Sequence, residues 1–136
     1  MDLTNITKHN IARVRKRLAI ETNKLGLYFT IKRKLYEEDG LNGFIVSGEK
    51  EVVSNKKMIF IVSTSANQII VEGGRKVTVS AKLIFPYEDG IDIIMGDYLV
   101  KDDKTYYVVD CVNVDGLNAY YSVSLTGNLK ELNGYG

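Results

Sequence analysis

The sequence contains few of the residues from which catalytic and metal-binding sites are built. Its 136 residues include one histidine, one cysteine, one proline and no tryptophan. A single histidine, His9, excludes a zinc site with two histidine ligands, and a single cysteine, Cys111, cannot complete a site that needs four. That cysteine cannot form an internal disulfide, and its place in the apolar stretch VVDCVNV predicts a small buried side chain rather than a reactive thiol.

Motifs for nucleophilic catalysis, nucleotide binding and calcium binding are absent as well. No serine stands in the G-x-S-x-G turn of a hydrolase, and neither G-x-x-x-x-G-K-[ST] nor G-x-G-x-x-G occurs. Several aspartates between residues 89 and 115 stand at predicted turns, where aspartate is favoured for its own local hydrogen bonds. No D-x-D-x-D-G loop is present. We therefore expect no enzymatic activity, no metal and no cofactor.

Long apolar segments are also missing. No stretch approaches the roughly 18 apolar residues of a transmembrane helix. The N-terminus is polar and basic and lacks the apolar segment of a secretory signal. We therefore expect no membrane partner and a protein that stays in the cytoplasm in which it is made.

Charge is divided unequally along the chain, although the formal net charge is only +1. Residues 1–35 carry nine Lys or Arg and two acids, a balance of +7, whereas the rest carries nine bases and fifteen acids, a balance of −6. Such a chain can attract a polyanion or the opposite end of another copy of itself. The alternative is an ordinary solvated helix face. The candidate residues facing DNA or a neighbouring ring are Arg13, Arg15, Lys16, Arg17, Lys32 and Lys34.

An N-terminal helix is predicted from Asn5 to Leu25. Thr4 or Asn5 can accept hydrogen bonds from the free N–H groups of its first turn. Gly26 is expected to end the helix. Apolar residues recur at intervals of three, four and seven and predict one buried stripe. The members of this stripe are Ile11, Val14, Leu18 and Leu25.

Short strands separated by turns are predicted after the helix. Leu27 to Tyr36 alternates apolar and polar residues, which predicts a half-buried strand whose inner row is interrupted by Arg33. Lys57 to Ser63 is apolar on both faces, which predicts a central strand covered by the helix. Residues 77–85 alternate again, and Pro86 ends that strand. Turns or breaks are predicted at residues 37–43, at Gly48, at Ser63–Gln68 and at Gly73–Gly74.

The segment from Tyr87 to Met95 mixes acids with large apolar residues. An exposed loop normally avoids so many large apolar side chains, so the segment either packs back on the barrel or is covered by another subunit. We treat it as a candidate assembly loop. Its residues are Tyr87, Glu88, Asp89, Ile91, Ile93, Ile94 and Met95.

A short antiparallel meander is predicted from Gly96 to Leu125. Its strands are Tyr98–Lys101, Thr105–Val114 and Leu117–Leu125, with turns at Asp102–Lys104 and Asp115–Gly116. The chain is long enough for one domain. We predict a mainly β protein, a small antiparallel β-barrel or sandwich with an N-terminal α-helix. The helix would span residues 4–26, the barrel 27–126 and a flexible tail 127–136.

One part of this meander resembles a known family. The stretch IDIIMGDYLVKDDKTYYVVDCVNV (residues 91–114), preceded by RKVTVSAKLIF (residues 75–85), resembles the C-terminal half of head-closure and head-tail joining proteins of tailed phages and related prophages. The shared pattern is a Gly-Asp before a strand, a charged turn, then Tyr-Tyr-Val-Val and a returning strand. The resemblance covers residues 75 to 125.

The resemblance implies a structural protein of the virion neck, assembled in the cytoplasm of the host bacterium. Six or twelve copies would form a ring around a DNA channel, between portal or adaptor proteins and a tail-terminator protein. The candidate assembly loop would help to close or line that channel. The alternative from the residues alone is a small barrel that binds nucleic acid through the basic helix, with stacking tyrosines from the pairs Tyr106–Tyr107 and Tyr120–Tyr121, one ring of each pair on each face.

Overall fold

The computed structural model describes residues 3–38, 40–41, 43–70, 74 and 76–129, and of residues 3–9 and 64–70 it describes the backbone alone. Two predicted features lie partly outside these residues. They are the hairpin tip at Gly73–Gly74, of which only Gly74 is described, and the tail from residue 127, which is described to Leu129.

The helix α1 spans Leu3–Leu25 and ends where the sequence predicts. The Gly26 N–H donates to the Thr22 carbonyl oxygen at 2.9 Å, which closes the last turn. A Cβ atom at position 26 would lie 2.4 Å from that carbonyl oxygen. Glycine is therefore required here by the close approach of the backbone.

Among the described residues, six antiparallel strands form one sheet that closes into a ring in the order β1-β2-β3-β6-β5-β4. The closure depends on one paired position, Lys32 of β1 opposite Tyr98 of β4. The predicted mainly β fold with an N-terminal helix is confirmed, and the ring closure favours a barrel over a sandwich. The strands are β1 Leu27–Glu38, β2 Phe44–Ile70, β3 Lys76–Pro86, β4 Tyr98–Lys101, β5 Lys104–Asn113 and β6 Tyr120–Thr126.

The core lies inside this ring and is best defined along β3. Every second residue of β3 is buried, as the alternation predicted, and Pro86 is its last residue. Phe29 and Ile31 of β1 face the same interior, as do Val108 of β5 and Leu125 of β6. Buried apolar surface of this kind is the main stabilising contribution to the fold. The buried residues of β3 are Val77, Val79, Ala81, Leu83 and Phe85.

The turn predicted at Gly48 is wrong, because β2 runs without interruption from Phe44 to Ile70. Gly48 lies opposite Leu35 in the ladder, beside a register shift between Leu35 and Tyr36. The polar break predicted at Ser63–Gln68 is also part of β2. It is marked by an irregularity between Val62 and Asn67. Both positions disturb the register of the sheet without reversing the chain.

The predicted apolar stripe of the helix is wrong in part. Val14 and Leu25 are 41% and 63% exposed, and the buried helix residue among the described side chains is Thr22. The face of the helix that packs on the sheet therefore differs from the face that the apolar spacing predicts. The apolar run in β2 is also less covered than predicted, since Ile61 and Val62 are 46% and 60% exposed.

The meander after β4 follows the prediction closely. Asp102 and Asp103 both have positive φ angles, 52° and 64°, as a two-residue hairpin turn requires. The returning strand begins at Tyr120 instead of Leu117, because Val114–Gly116 forms a 3₁₀ turn before it.

Candidate assembly surface

The segment from Tyr87 to Met95 is fixed to the barrel at both ends. At its start, the Tyr87 N–H donates to the Ala119 carbonyl oxygen at 3.1 Å. The Tyr87 ring stacks on Tyr121, with ring centroids 5.5 Å apart, and Tyr121 in turn stacks on Phe85. The Tyr87 hydroxyl donates to Asp89 at 2.7 Å, and this bond is the main cause that raises the pKa of Tyr87.

The other end of the segment is held by Arg33, the residue that interrupts the inner row of β1. Its guanidinium donates to both carboxylate oxygens of Asp97, at 2.7 and 3.0 Å. Nη2, the nitrogen that donates to Asp97 Oδ2, also donates to the Asp92 carbonyl oxygen at 2.7 Å. The hydrogen bond to Asp97 is the first cause that raises the pKa of Arg33 above its usual range, so this cation is permanent.

Asp97 is almost fully buried, with 1% of its surface exposed. Besides Arg33, its Oδ2 accepts a hydrogen bond from the Ile94 N–H at 2.9 Å. The Asp97 carbonyl oxygen accepts from the Val108 N–H at 2.7 Å, and the Gly96 N–H donates to the Val108 carbonyl oxygen at 2.9 Å. The Gly-Asp pair of the sequence pattern is therefore the point where the segment is connected to β1 and β5.

The large apolar residues of the segment divide into two groups. Ile93 is buried, and Ile91 is half-buried against the same core cluster. Ile94 and Met95 are 49% and 42% exposed. Of the two interpretations left open by the sequence, packing on the barrel applies to the first pair, whereas the second pair remains available to another molecule. Glu88 and Asp89 lie exposed between Tyr87 and these apolar residues.

Ile94 and Met95 border a shallow hollow of about 360 Å³. Its other walls come from the backbone of Gly96 and from the outer part of β1, including Lys34 and Tyr36. β1 and β4 are paired at Lys32 and Tyr98, and the hollow lies beyond this pair, between the outer part of β1 and the chain before β4.

Another exposed apolar surface lies on a feature that the sequence did not predict, the outer hairpin of β1 and β2. We call it the arm and define it as residues 34–38 and 44–51. All of these residues are exposed. Beyond Lys32, β1 pairs with β2 alone among the described strands, and β3 joins β2 only from Ile59 onward. Five apolar residues of the arm are between 40% and 69% exposed, namely Leu35, Tyr36, Phe44, Ile45 and Val46.

The predicted basic residues do not form one surface. Arg13, Lys16 and Arg17 are exposed on α1. Arg15 is used inside the chain, because its Nε donates to the Asn118 carbonyl oxygen at 2.6 Å and its guanidinium lies 5.9 Å from the centre of the Tyr87 ring. Arg15 therefore connects the helix to the candidate assembly loop.

Lys32 and Lys34 lie near the base of the arm, where other groups already contact them. The Lys32 ammonium forms an ion pair with Glu49 at 3.2 Å, and the Lys34 ammonium lies 5.7 Å from the centre of the Tyr98 ring. The Tyr98 hydroxyl also donates to Glu49. These two lysines are thus less available to an external anion than the exposed residues of the helix.

The four tyrosines of the two pairs are half-buried, and the rings of Tyr106, Tyr107 and Tyr121 contact other residues of the chain. Tyr106 packs edge-on against Phe60, with centroids 5.3 Å apart. Tyr107 packs against the second buried cluster, which contains Val77 and Val109. The prediction that one ring of each pair lies on each face fits Tyr106 and Tyr107, but neither ring is fully free for stacking.

Cys111 is half-buried beside the main core cluster, and burial raises the pKa of its thiol to about 11. His9 lies in α1, and its side chain is outside the described residues. In the part of the chain that the structure describes, no group of three or more His, Cys, Asp or Glu is arranged to hold a metal ion. None of the described helical residues forms a helix long and apolar enough to cross a membrane.

The sequence matches no protein-family model and no curated protein.

Proposed function

We propose that this chain is a non-enzymatic structural component of the neck of a phage or phage-like particle, where it joins the portal end of the capsid to the tail. The resemblance of residues 75–125 to head-closure and head-tail joining proteins supports the placement in a neck. The observation that carries an assembly role is the arm, a two-stranded ribbon with exposed apolar side chains on both faces.

A two-stranded ribbon is at best marginally stable when nothing covers it. The arm begins where the sheet stops closing on itself, so the barrel does not cover its apolar residues. Exposed apolar surface of this kind marks a contact with another protein. Ile94 and Met95 extend it at the base of the arm, across the hollow beside Tyr36.

The barrel in this proposal is the rigid wall of a ring, and the arm and the candidate assembly loop make the contacts. The Arg33–Asp97 pair matters because it holds the loop in one place relative to the base of the arm. A ring of identical chains forms when a head-to-tail contact closes on itself. Six or twelve copies would meet portal or adaptor proteins on one side and a tail-terminator protein on the other, with DNA in the channel.

The test is to delete the gene from the phage or prophage that carries it and to image the particles by electron microscopy. The expected result is DNA-filled or emptied heads separated from free tails. A plasmid copy of the wild-type gene should restore joined particles. Joined, infectious particles in the deletion strain would contradict the neck function.

A second candidate function is nucleic-acid binding, and the exposed basic side chains of Arg13, Lys16 and Arg17 favour it. Binding to a polyanion releases counterions, so its affinity falls steeply with salt. Fluorescence anisotropy with labelled single-stranded DNA at rising salt tests this candidate. Absence of binding at low salt excludes it and leaves the neck function untouched.

A further inference from the structure

Ion pairs within the chain neutralise many of its exposed charges. Glu49 pairs with Lys32, Glu88 with Lys56, Asp92 with Arg33, and Asp102 with Lys101. Other exposed charges remain outside these pairs in the described part of the chain, and two clusters of like charge among them have opposite sign. One lies on α1 and the other at the outer end of the arm.

The basic group occupies the outward face of α1. Residues three, four, seven and eleven apart share a helix face, so Arg13, Lys16, Arg17, Ile20 and Lys24 lie together. All five are exposed, and the apolar Ile20 at their centre is 47% exposed. No described acid lies within ion-pair distance of these four cations.

The acidic group occupies the outer end of the arm. Glu37 and Glu38 are exposed, and no described cation lies within ion-pair distance of either. Residues opposite each other in a ladder share a face of the sheet. Glu38 is opposite Phe44 and Glu37 is opposite Ile45, so each carboxylate stands beside an exposed apolar side chain.

The two surfaces therefore match in charge and in composition, since each combines unpaired charges with exposed apolar residues. We propose that the acidic end of the arm of one copy binds the basic outward face of α1 of the next copy. Successive strand residues point to opposite faces, so the face of the arm that carries Glu38 and Phe44 meets Arg13, Lys16, Arg17 and Lys24, with Phe44 against Ile20. Glu37, on the other face, adds to the negative charge of the tip. This inference rests on the proposed assembly function and names its partner as a second copy of the chain.

The arm and α1 are different surfaces of one copy, so the contact is head-to-tail and leaves a free arm and a free α1 face on every pair. A contact of this type continues until it closes into a ring. It also explains why the arm projects from the barrel, because a segment that packed on its own sheet would not reach a neighbour. The like charges within each surface oppose the wrong pairings, arm with arm and helix with helix.

The experiment reverses the charge of each of the two surfaces in a separate variant. One variant carries Glu37→Lys and Glu38→Lys, so both of its surfaces are basic. A second carries Arg13→Glu, Lys16→Glu and Arg17→Glu, which leaves three carboxylates beside the single cation Lys24 on the helix face, so both of its surfaces are acidic. Arg15 is kept in both because it holds the helix to the barrel. A control carries Lys82→Glu and Asp103→Lys, two exposed charges on β3 and in the turn between β4 and β5.

Self-association is measured by sedimentation velocity at rising protein concentration and at low salt. Wild type and the control are expected to associate, and association should weaken at about 1 M salt because of screening. Each charge variant alone is expected to associate at least about tenfold more weakly than wild type, since like charges then face each other. An equal mixture of the two variants should associate again, because each arm finds a helix of opposite charge. Recovery in the mixture also shows that both variants are folded.

Three results overturn the inference. Undiminished association of either variant would place the contact elsewhere, while the neck function, tested separately by particle imaging, would stand. A wild-type chain that stays monomeric at every concentration would remove the second copy as partner. Loss of DNA binding without loss of self-association in the helix variant would assign the basic face to nucleic acid.

Discussion

Arg33 and Asp97 form a two-point ion pair across 64 positions of the sequence, and it joins the strand that carries the arm to the candidate assembly loop. Asp97 is 1% exposed and the Arg33 side chain 19%. Both residues stand where the sequence pattern is irregular, Arg33 in the inner row of β1 and Asp97 directly after Gly96. The pair lies where the apolar lining of the barrel ends.

We expect Asp97→Asn to destabilise the protein, because it removes the negative charge beside Arg33 and replaces one accepting oxygen with an amide group that donates. Breaking a buried pair by removing one partner costs about 3 kcal/mol or more. Urea denaturation monitored by circular dichroism measures the change. Asp92→Asn is the matched control, since the Asp92 side chain is 70% exposed and its contact with Arg33 should contribute less than about 1 kcal/mol. Equal losses in the two variants would contradict the structural importance of the buried pair.

The regular parts of the fold were predictable because local patterns determine them. The alternation along β3, Pro86 at its end and Gly26 after the helix all follow from single-residue properties, and the structure has each of them. The arm was not predictable in this way. Leu35 continues the inner row of β1, and only the position of the Lys32–Tyr98 closure shows that no barrel wall lies beneath it.

The candidate assembly loop was identified from composition, but composition did not predict which of its apolar residues are buried and which are exposed. A sequence of four large apolar residues gives no sign that Ile93 is buried while Ile94 is exposed. That difference depends on the turn before β4, where the Ile94 N–H and the Gly96 N–H find acceptors on Asp97 and Val108. The contact of Arg15 could not be predicted from local sequence either, because its acceptor lies 103 residues away at Asn118.

The neighbouring residues Ile93 and Ile94 should separate stability from assembly. Ile93→Ala should destabilise the chain by about 2 kcal/mol or more, because it removes buried apolar atoms and leaves a cavity. Ile94→Ser together with Met95→Ser should leave stability within about 0.5 kcal/mol, since both side chains are exposed. Urea denaturation measures the first effect, and incorporation into particles measures the second. Normal incorporation of the Ile94 and Met95 variant would remove these residues from the assembly surface.

Cys111 should be a poorly reactive thiol near neutral pH. Burial raises its pKa to about 11, and only the thiolate reacts with disulfide reagents. We expect slow labelling of the native protein at pH 8 and fast labelling in urea. An unfolded thiol ionises near about pH 8.5, so the unfolded chain loses its proton first and the folded state loses stability as the pH rises from there toward the folded value. Labelling of the native protein as fast as in urea would contradict the buried position.

Gly48 tests whether β2 is continuous, and Gly26 provides the contrasting position. A Cβ atom at Gly48 would have open space, with nothing within 4 Å, whereas one at Gly26 would lie 2.4 Å from the Thr22 carbonyl oxygen. Glycine within a strand is destabilising by about 0.5–1 kcal/mol relative to alanine, so Gly48→Ala should be neutral or stabilising. Gly26→Ala should be destabilising, because a backbone atom has to move. Urea denaturation of both variants measures the difference. If Gly48→Ala were the more destabilising of the two, the chain would need glycine for a turn at that position, and the arm would have to be shorter than described.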